Sequence, residues 1–205
     1  MIRTLCASIL LLICTSVNAQ KFPSEIWHEG KLVLIEGDTI RGHIKYDLEK
    51  DLVQYTQDRS IIKAYTARKL IYFEIFDGTV DKFRQFYVLP FSARSNYAAP
   101  FIFELVHEGR RMSLLSRESI EYQVTNYPYT MSGTYTRLVL TYTYFFLDSE
   151  GSIERFNGKR GDLVRIMNKK GAEMKRYIKV NKIRPEKRPD LLRTVIHYNS
   201  LFEKS

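Results

Sequence analysis

Apolar and polar residues alternate along much of the chain, and the clearest example covers residues 30–46. An apolar run there leads into an acidic-glycine turn around Gly37, and a strictly alternating run follows it. In the second run Ile44 and Tyr46 fall on one face, whereas His43 falls on the other between two basic residues. Successive side chains of a strand point to opposite faces, so the pattern predicts a β-hairpin with one buried and one solvated side.

Pairs of an acidic residue and a glycine recur between strand-like runs. They lie at positions 36–37, 77–78, 108–109 and 150–151, as is typical of β-hairpin turns. Their spacing is irregular, so a solenoid or propeller repeat is not indicated. We therefore expect a meander of antiparallel hairpins, curled into a barrel-like or sandwich shape. Pro90 predicts the end of the strand that begins at Lys82, because proline cannot donate to a ladder.

After Gly158 the spacing of apolar residues becomes helical. Residues 163–167 predict a first short helix that stops at Gly171, since glycine commonly follows a helix end. Residues 172–181 predict a second helix, and Pro189 suits the start of a third. The predicted inner faces are Met174, Tyr177 and Ile178 in the second helix, and Leu192, Val195, Ile196 and Asn199 in the third.

Together these patterns predict an α+β fold, mainly an antiparallel β meander of hairpins with short C-terminal helices. Residues 20–157 would form the β-rich domain, and residues 158–205 a basic helical segment. We expect this segment to pack on the same domain, because helices of this length are marginal alone in water. The composition, 44% apolar and 13% aromatic, is typical of a globular protein with a packed core.

The positive charge is concentrated in one segment of the chain. The formal net charge is +9, and residues 159–188 contain twelve basic residues against three acidic ones. Clustered Lys and Arg can neutralise phosphate groups, so this segment could bind anionic lipid or glycan of a cell envelope. The alternative is that it forms the solvated outer face of packed helices. The candidate ligand-binding residues are Lys169, Lys170, Lys175, Arg176, Lys179 and Lys182, with the loop residues Tyr127 and Tyr129 as stacking faces for sugars.

Residues 1–19 match the pattern of a secretory signal peptide. Arg3 precedes an apolar core at residues 5–13, and small residues ending at Ala19 form a cleavage site. We expect the mature chain to begin at Gln20 and to be exported to the periplasm or the outer surface. Both cysteines lie within the leader, so no disulfide is expected. No apolar run is long enough for a transmembrane helix, nucleic acid is a poor candidate partner for an exported protein, and the oligomeric state is not indicated.

Motifs of catalysis are missing from the sequence. It contains no nucleophile elbow, phosphate loop or dinucleotide fingerprint, so we predict no catalytic residue, metal ligand or cofactor. The tripeptide His-Glu-Gly occurs twice, beginning at His28 and His107. We interpret both copies as turn residues at strand borders, and the alternative is a two-part metal or acid–base site. Glu104 lies in an apolar strand, where it could pair with an arginine such as Arg117. Alternatively it could join Glu108 or another carboxylate in a hydrolase that acts on envelope or dietary glycans.

Several stretches resemble a family of secreted proteins from Bacteroidota-type bacteria that has no assigned activity. They are FYVLPF at 86–91, FIFELV at 101–106, EGRRMSLLSRE at 108–118, MKRYIK at 174–179 and HYNSL at 197–201. The resemblance spans most of the chain after the leader and implies an exported location and a β-rich fold. With the basic segment, it leads us to expect a non-enzymatic binding or scaffolding module of the envelope.

Overall fold

The computed structural model describes residues 21–93, 97–126 and 133–203. Within these residues ten antiparallel strands form one sheet in the order β10-β9-β8-β7-β6-β5-β1-β2-β3-β4. The strands are β1 (His28–Leu34), β2 (Thr39–Asp47), β3 (Leu52–Thr56), β4 (Lys63–Thr66), β5 (Leu70–Asp77), β6 (Lys82–Phe91), β7 (Ala99–His107), β8 (Met112–Asn126), β9 (Thr134–Asp148) and β10 (Ile153–Arg155). The predicted meander is confirmed. Within the described residues the sheet does not close into a barrel, since its end strands β4 and β10 are not paired.

The four acidic-glycine turns each join two neighbouring antiparallel strands, as predicted. Gly37 and Gly151 have φ of +96° and +85°, a region that glycine enters without steric cost. The predicted strand end at Pro90 is wrong, because β6 continues to Phe91 and Pro90 faces Pro100 of β7. β5 pairs with β6 only as far as Tyr87, so β6 is an edge at this point, where proline is tolerated.

Strands β1, β2, β3 and β5 share one apolar cluster with residues of β6 and β7. Gly30 and Gly42 face each other across β1 and β2, and a Cβ on Gly30 would lie 2.1 Å from a carbonyl oxygen of β5. The turn Ala67–Lys69 joins β4 to β5, and its ends bond to Asp51 and Ile35 in two other turns. The buried side chains of this cluster are Leu32, Ile44, Tyr46, Leu48, Val53, Tyr55, Ala67, Leu70, Phe73, Ile75, Phe86 and Ile102.

Strands β7 and β8 separate at one end of the sheet. Their ladder reaches only the pair Glu104–Ser116, and Asp51 fills the gap beyond it. The Asp51 carboxylate accepts hydrogen bonds from the Ile102 N–H at 2.8 Å and from Arg117 Nη1 at 2.7 Å. Past this point β8 and β9 continue as a two-stranded ribbon (residues 117–126 and 134–143), which we call the β8–β9 arm.

The C-terminal segment forms helices α1 (Arg160–Ile166), α2 (Gly171–Val180) and α3 (Arg188–Glu203). Among the described residues no helix is both long and apolar enough to cross a membrane. Gly171 begins α2 with φ of −59° and does not stop α1, so that prediction is wrong. The inner stripe predicted for α2 is confirmed, since Met174 and Ile178 are buried against the sheet and Tyr177 packs beside them.

The inner face predicted for α3 is only half right. Val195 and Asn199 are buried, but Ile196 is 46% exposed and Leu192 only half-buried. The face that α3 presents to the sheet therefore differs from the predicted one. Asn199 lies on the buried face and binds the turn between β7 and β8. Its amide oxygen accepts from the N–H groups of that turn at 2.8 and 3.1 Å, and its Nδ2 donates to the Met112 carbonyl. The other buried side chains of α3 are Asp190, Leu191, Thr194 and Tyr198.

Candidate anion-binding surface

The outer side of α2 is built from a short amphipathic helix held by its apolar stripe. Met174 and Ile178 join a cluster formed by all three helices and by β8 and β9. At about 100° per residue, Lys175, Arg176 and Lys179 fall on the side away from this cluster, and all three are exposed. Lys182 follows the helix and is also exposed. We call Lys175, Arg176, Lys179 and Lys182 the α2 cation face.

Ion pairing divides the basic segment into two groups. Five of its twelve cations lie within 4.0 Å of a carboxylate: Arg165, Lys169, Lys170, Arg184 and Arg188. In the described part of the chain the other seven have no carboxylate at that distance: Lys159, Arg160, Lys175, Arg176, Lys179, Lys182 and Lys187. Arg160 instead donates to the Ile183 carbonyl at 2.9 Å. The unpaired charges therefore include the whole α2 cation face.

The candidate binding residues predicted from the sequence fall into the same two groups, with and without a carboxylate partner among the described residues. Lys169 pairs with Glu150 at 3.1 Å. Lys170 lies 3.7 Å from Glu173 and above the Phe202 ring, so both lysines already have partners. The remaining four predicted cations form the α2 cation face. Tyr127 and Tyr129 lie outside the described residues, as does the predicted leader.

The α2 cation face is an exposed electrostatic surface, and an open groove of about 310 Å³ beside it includes only Arg176 of the four cations. Four exposed positive charges near one another attract phosphate or carboxylate groups over roughly 8–10 Å at physiological ionic strength. Exposed cations lose little solvation on contact with an anionic layer, so the attraction depends on the number of charges and on salt. Such a face suits an extended anionic surface better than one small molecule.

Sequence reasoning missed a buried ion network at the centre of the sheet. The guanidinium of Arg84 bonds to Asp77 at 2.9 Å, to Glu104 at 3.1 Å and to Glu118 at 2.9 Å. It also donates to the Tyr46 hydroxyl at 2.8 Å, which donates to Glu118 at 2.6 Å. These four ionic side chains are between 1% and 4% exposed. The only sequence signal was Glu104 itself, a carboxylate in an apolar strand.

Burial and charge act in opposite directions on the network's carboxylates. Burial alone would raise the pKa of Glu104, but the charge and hydrogen bonds of Arg84, followed by the charge of Arg188, hold that pKa below its usual range. Burial likewise opposes ionisation of Asp77, while hydrogen bonds from Thr79 and Arg84 lower its pKa. Burial and the nearby Glu118 raise the pKa of the Tyr46 hydroxyl, which remains a neutral donor.

The network joins the sheet to the basic helical segment. Arg188, the first residue of α3, pairs with Glu104 at 3.1 Å, and Ser116 also donates to Glu104 at 2.8 Å. Of the two roles predicted for Glu104, the structure shows pairing with arginine. Its partners, however, are Arg84 and Arg188 and not the suggested Arg117. Arg117 pairs with Asp51 instead. Glu108, the other carboxylate considered for a hydrolase, is exposed in a turn.

A cleft of about 400 Å³ lies between the β2–β3 hairpin and the β8–β9 arm. Tyr46 and Glu118 of the ion network line it, and Ile120 and Leu140 of the arm contribute apolar surface. Its charged lining has both signs, with Lys45 and Lys50 beside Glu25, Asp47 and Glu49. In residues 21–93, 97–126 and 133–203, no group of three His, Cys, Asp or Glu side chains could hold a metal ion. With Glu118, the cleft lining carries four carboxylates against two lysines, so it is acidic overall, in contrast to the α2 cation face.

Comparisons with protein-family models, with curated proteins and with solved structures found nothing that matches this chain.

Proposed function

We propose that this protein is a non-enzymatic binding module of the bacterial cell envelope, which attaches to anionic lipid or glycan through the α2 cation face. The observation that carries the proposal is the absence, among the described residues, of any carboxylate within salt-bridge distance of Lys175, Arg176, Lys179 and Lys182. Neighbouring cations such as Lys169 are neutralised by pairing. Charges left unpaired on one helix face are available to phosphate groups.

The rigid attachment of α2 supports the same proposal. The helix is fixed through Met174 and Ile178, and α3 is tied to the sheet through Arg188 and Asn199. The four cations are thus presented on a packed scaffold, so less conformational entropy is lost on binding than for a flexible basic tail. The signal-peptide pattern of residues 1–19 and the resemblance to secreted proteins support the envelope location.

Vesicle co-sedimentation tests the proposal. We expect retention on vesicles that contain anionic phospholipid and none on zwitterionic vesicles, with retention falling steeply as salt increases. The test variant replaces the four residues of the α2 cation face with Gln. The control replaces four exposed cations without a carboxylate partner among the described residues, Lys63, Arg68, Lys82 and Arg110, so it loses the same charge.

The two variants distinguish a local site from general electrostatic attraction. We expect the α2 variant to lose vesicle affinity by two to three orders of magnitude, because about 1 kcal/mol per surface cation gives about 4 kcal/mol for four cations, and the control to bind nearly as the unmodified protein. Equal losses in both variants would show that net charge alone is responsible. Retention that is insensitive to salt would also overturn the proposal.

A further inference from the structure

The outer edge of β9 is open along most of its length. β9 pairs with β8 from Thr134 to Asp148, but β10 covers only Phe145 to Leu147. The last backbone bond at this edge runs from the Phe156 N–H to the Tyr144 carbonyl at 2.9 Å. Among the described residues, no strand pairs with the outer edge of residues 134–143. Along this side of the β8–β9 arm, the backbone N–H and C=O groups of β9 that point away from β8 have no described strand to bond to.

The bond at Tyr144 identifies which groups face outward. Neighbouring residues of a strand direct their N–H and C=O groups to opposite sides, and the Tyr144 carbonyl points away from β8. The outward groups upstream therefore belong to every second residue. They are Thr134, Thr136, Leu138, Leu140 and Tyr142.

This edge has almost none of the features that usually prevent strand pairing. Exposed edges are generally protected by lysine, proline, bulges or short length. Residues 134–143 read TYTRLVLTYT, with no proline, lysine or glycine and only one charged residue, Arg137. The fifteen pairs that join β8 residues 112–126 to β9 residues 134–148 run in one register without a bulge. β-branched and aromatic residues of this kind favour strand pairing.

The arm also has too few strands for its exposed apolar surface. A two-stranded ribbon is marginally stable in water, and added strands stabilise it. On one face Tyr122 is 78% exposed, Val124 63% and Leu138 39%. An additional strand beside β9 would cover the flank of Leu138 and satisfy the outward backbone groups.

We infer that β9 of a second copy of this chain occupies the open edge, with the two strands antiparallel about a two-fold axis at Val139. Because this axis is perpendicular to the sheet, residues that lie opposite each other in the two copies have their side chains on the same face of the sheet. The axis pairs Leu138 with Leu140 of the second copy and Thr136 with its Tyr142, and the outward N–H and C=O groups bond in these pairs. Aromatic and β-branched residues are favourable cross-strand neighbours.

Charge also agrees with self-pairing at this edge. The single cation, Arg137, falls opposite Thr141 of the second copy, so like charges do not meet. The free edge of β8 is less suitable, because it carries Glu118 and Glu121 and because Arg117 at its base bonds to Asp51 and to the Leu48 carbonyl of the β2–β3 turn. A strand from an unrelated protein could use the same backbone groups, and a monomeric result for the purified protein would favour that occupant.

Cysteine cross-linking tests the predicted register in a full-length chain whose Cys6 and Cys14 are replaced by Ser. In the proposed dimer, Val139 lies opposite Val139 of the second copy as a non-hydrogen-bonded pair. The two Cα atoms would be about 4.5 Å apart, which is within the range of a disulfide. Val139→Cys should therefore give a disulfide-linked dimer under mild oxidation. Arg137→Cys is the matched control, since its two Cα atoms would lie about 14 Å apart, four residues along the strand and one strand across.

A second variant tests the edge without relying on a disulfide. Leu140→Pro removes an outward N–H and leaves the bonds to β8, so the monomer should keep its circular dichroism. We expect dimerisation in light scattering to weaken roughly tenfold or more. A protein that is monomeric across the dilution series overturns the inference. So does a dimer that keeps its affinity in Leu140→Pro, or one that cross-links through Arg137→Cys and not through Val139→Cys.

Discussion

Replacing Arg84 with Met should severely destabilise the protein. Methionine keeps much of the side-chain volume but removes the charge that faces Asp77, Glu104 and Glu118, whose side chains are only 1–3% exposed. Removing one partner of a buried ion pair typically costs about 3–5 kcal/mol, because an uncompensated charge remains. Here three carboxylates lose one shared cation, and within the described part of the chain only Glu104 retains another, Arg188. We expect a loss of at least about 4 kcal/mol, a large part of the stability of an ordinary domain.

Urea denaturation at pH 7, followed by circular dichroism, measures this loss. Arg117→Met is the control, since Arg117 is 15% exposed and has one carboxylate partner, Asp51. It should lose clearly less stability than Arg84→Met. If Arg84→Met unfolds within about 1 kcal/mol of the unmodified protein, the network is not a buried charge cluster and our account of it is wrong.

The same variant should reverse the dependence of stability on pH. In the unmodified protein the pKa values of Asp77 and Glu104 are lowered by folding. Their contribution is therefore present above the unfolded-state pKa, near 4, and is lost as pH falls through the folded-state values. Without Arg84, the effect of burial on Asp77 and Glu104 loses its main opposition, so we expect the pKa values of these two carboxylates to rise above the unfolded value. Arg84→Met should then gain stability between pH 8 and pH 5, whereas the unmodified protein should not.

Two further substitutions test how the fold is held together. Gly30→Ala should lower the free energy of unfolding by about 1–3 kcal/mol through overpacking, because its Cβ would lie 2.1 Å from a β5 carbonyl oxygen. Gly78→Ala has open space and should change thermal stability little; a similar loss in both would contradict this explanation. Asn199→Ala should cost about 2–3 kcal/mol, because two turn N–H groups lose their acceptor. Ser200→Ala, which loses one bond within its own helix, should cost less, and the reverse order would refute this role.

The local pattern of the sequence was sufficient to predict the hairpins and the general position of the helices. The acidic-glycine turns and the alternation around Ile44 and Tyr46 depend on neighbours along the chain, so they are visible without tertiary information. Pro90 was misjudged for the opposite reason. Whether proline ends a strand depends on which neighbouring strands reach it, and that is decided by the extent of β5.

The ion network and the free cations could not be predicted for a related reason. Arg84 lies between Phe83 and Phe86, so the alternation does not show which face is inward, and Phe83 is in fact 68% exposed. The network's carboxylates come from different strands, far apart in the chain. Likewise Lys169 and Lys179 look equivalent in the sequence, and only the fold brings Glu150 to one of them.

The most direct test of the proposed function is to measure which surface becomes shielded on an anionic membrane. A fluorophore at Val180→Cys, 70% exposed in α2, is compared with one at Val80→Cys, 54% exposed in the β5–β6 turn. Both are made in the chain with Cys6 and Cys14 replaced by Ser, and quenching by neutral acrylamide is measured with and without anionic vesicles. We predict that vesicles shield the fluorophore at Val180 at low salt, that high salt reverses this, and that Val80 stays accessible. Unchanged quenching at Val180 while the protein is vesicle-bound would contradict the proposal.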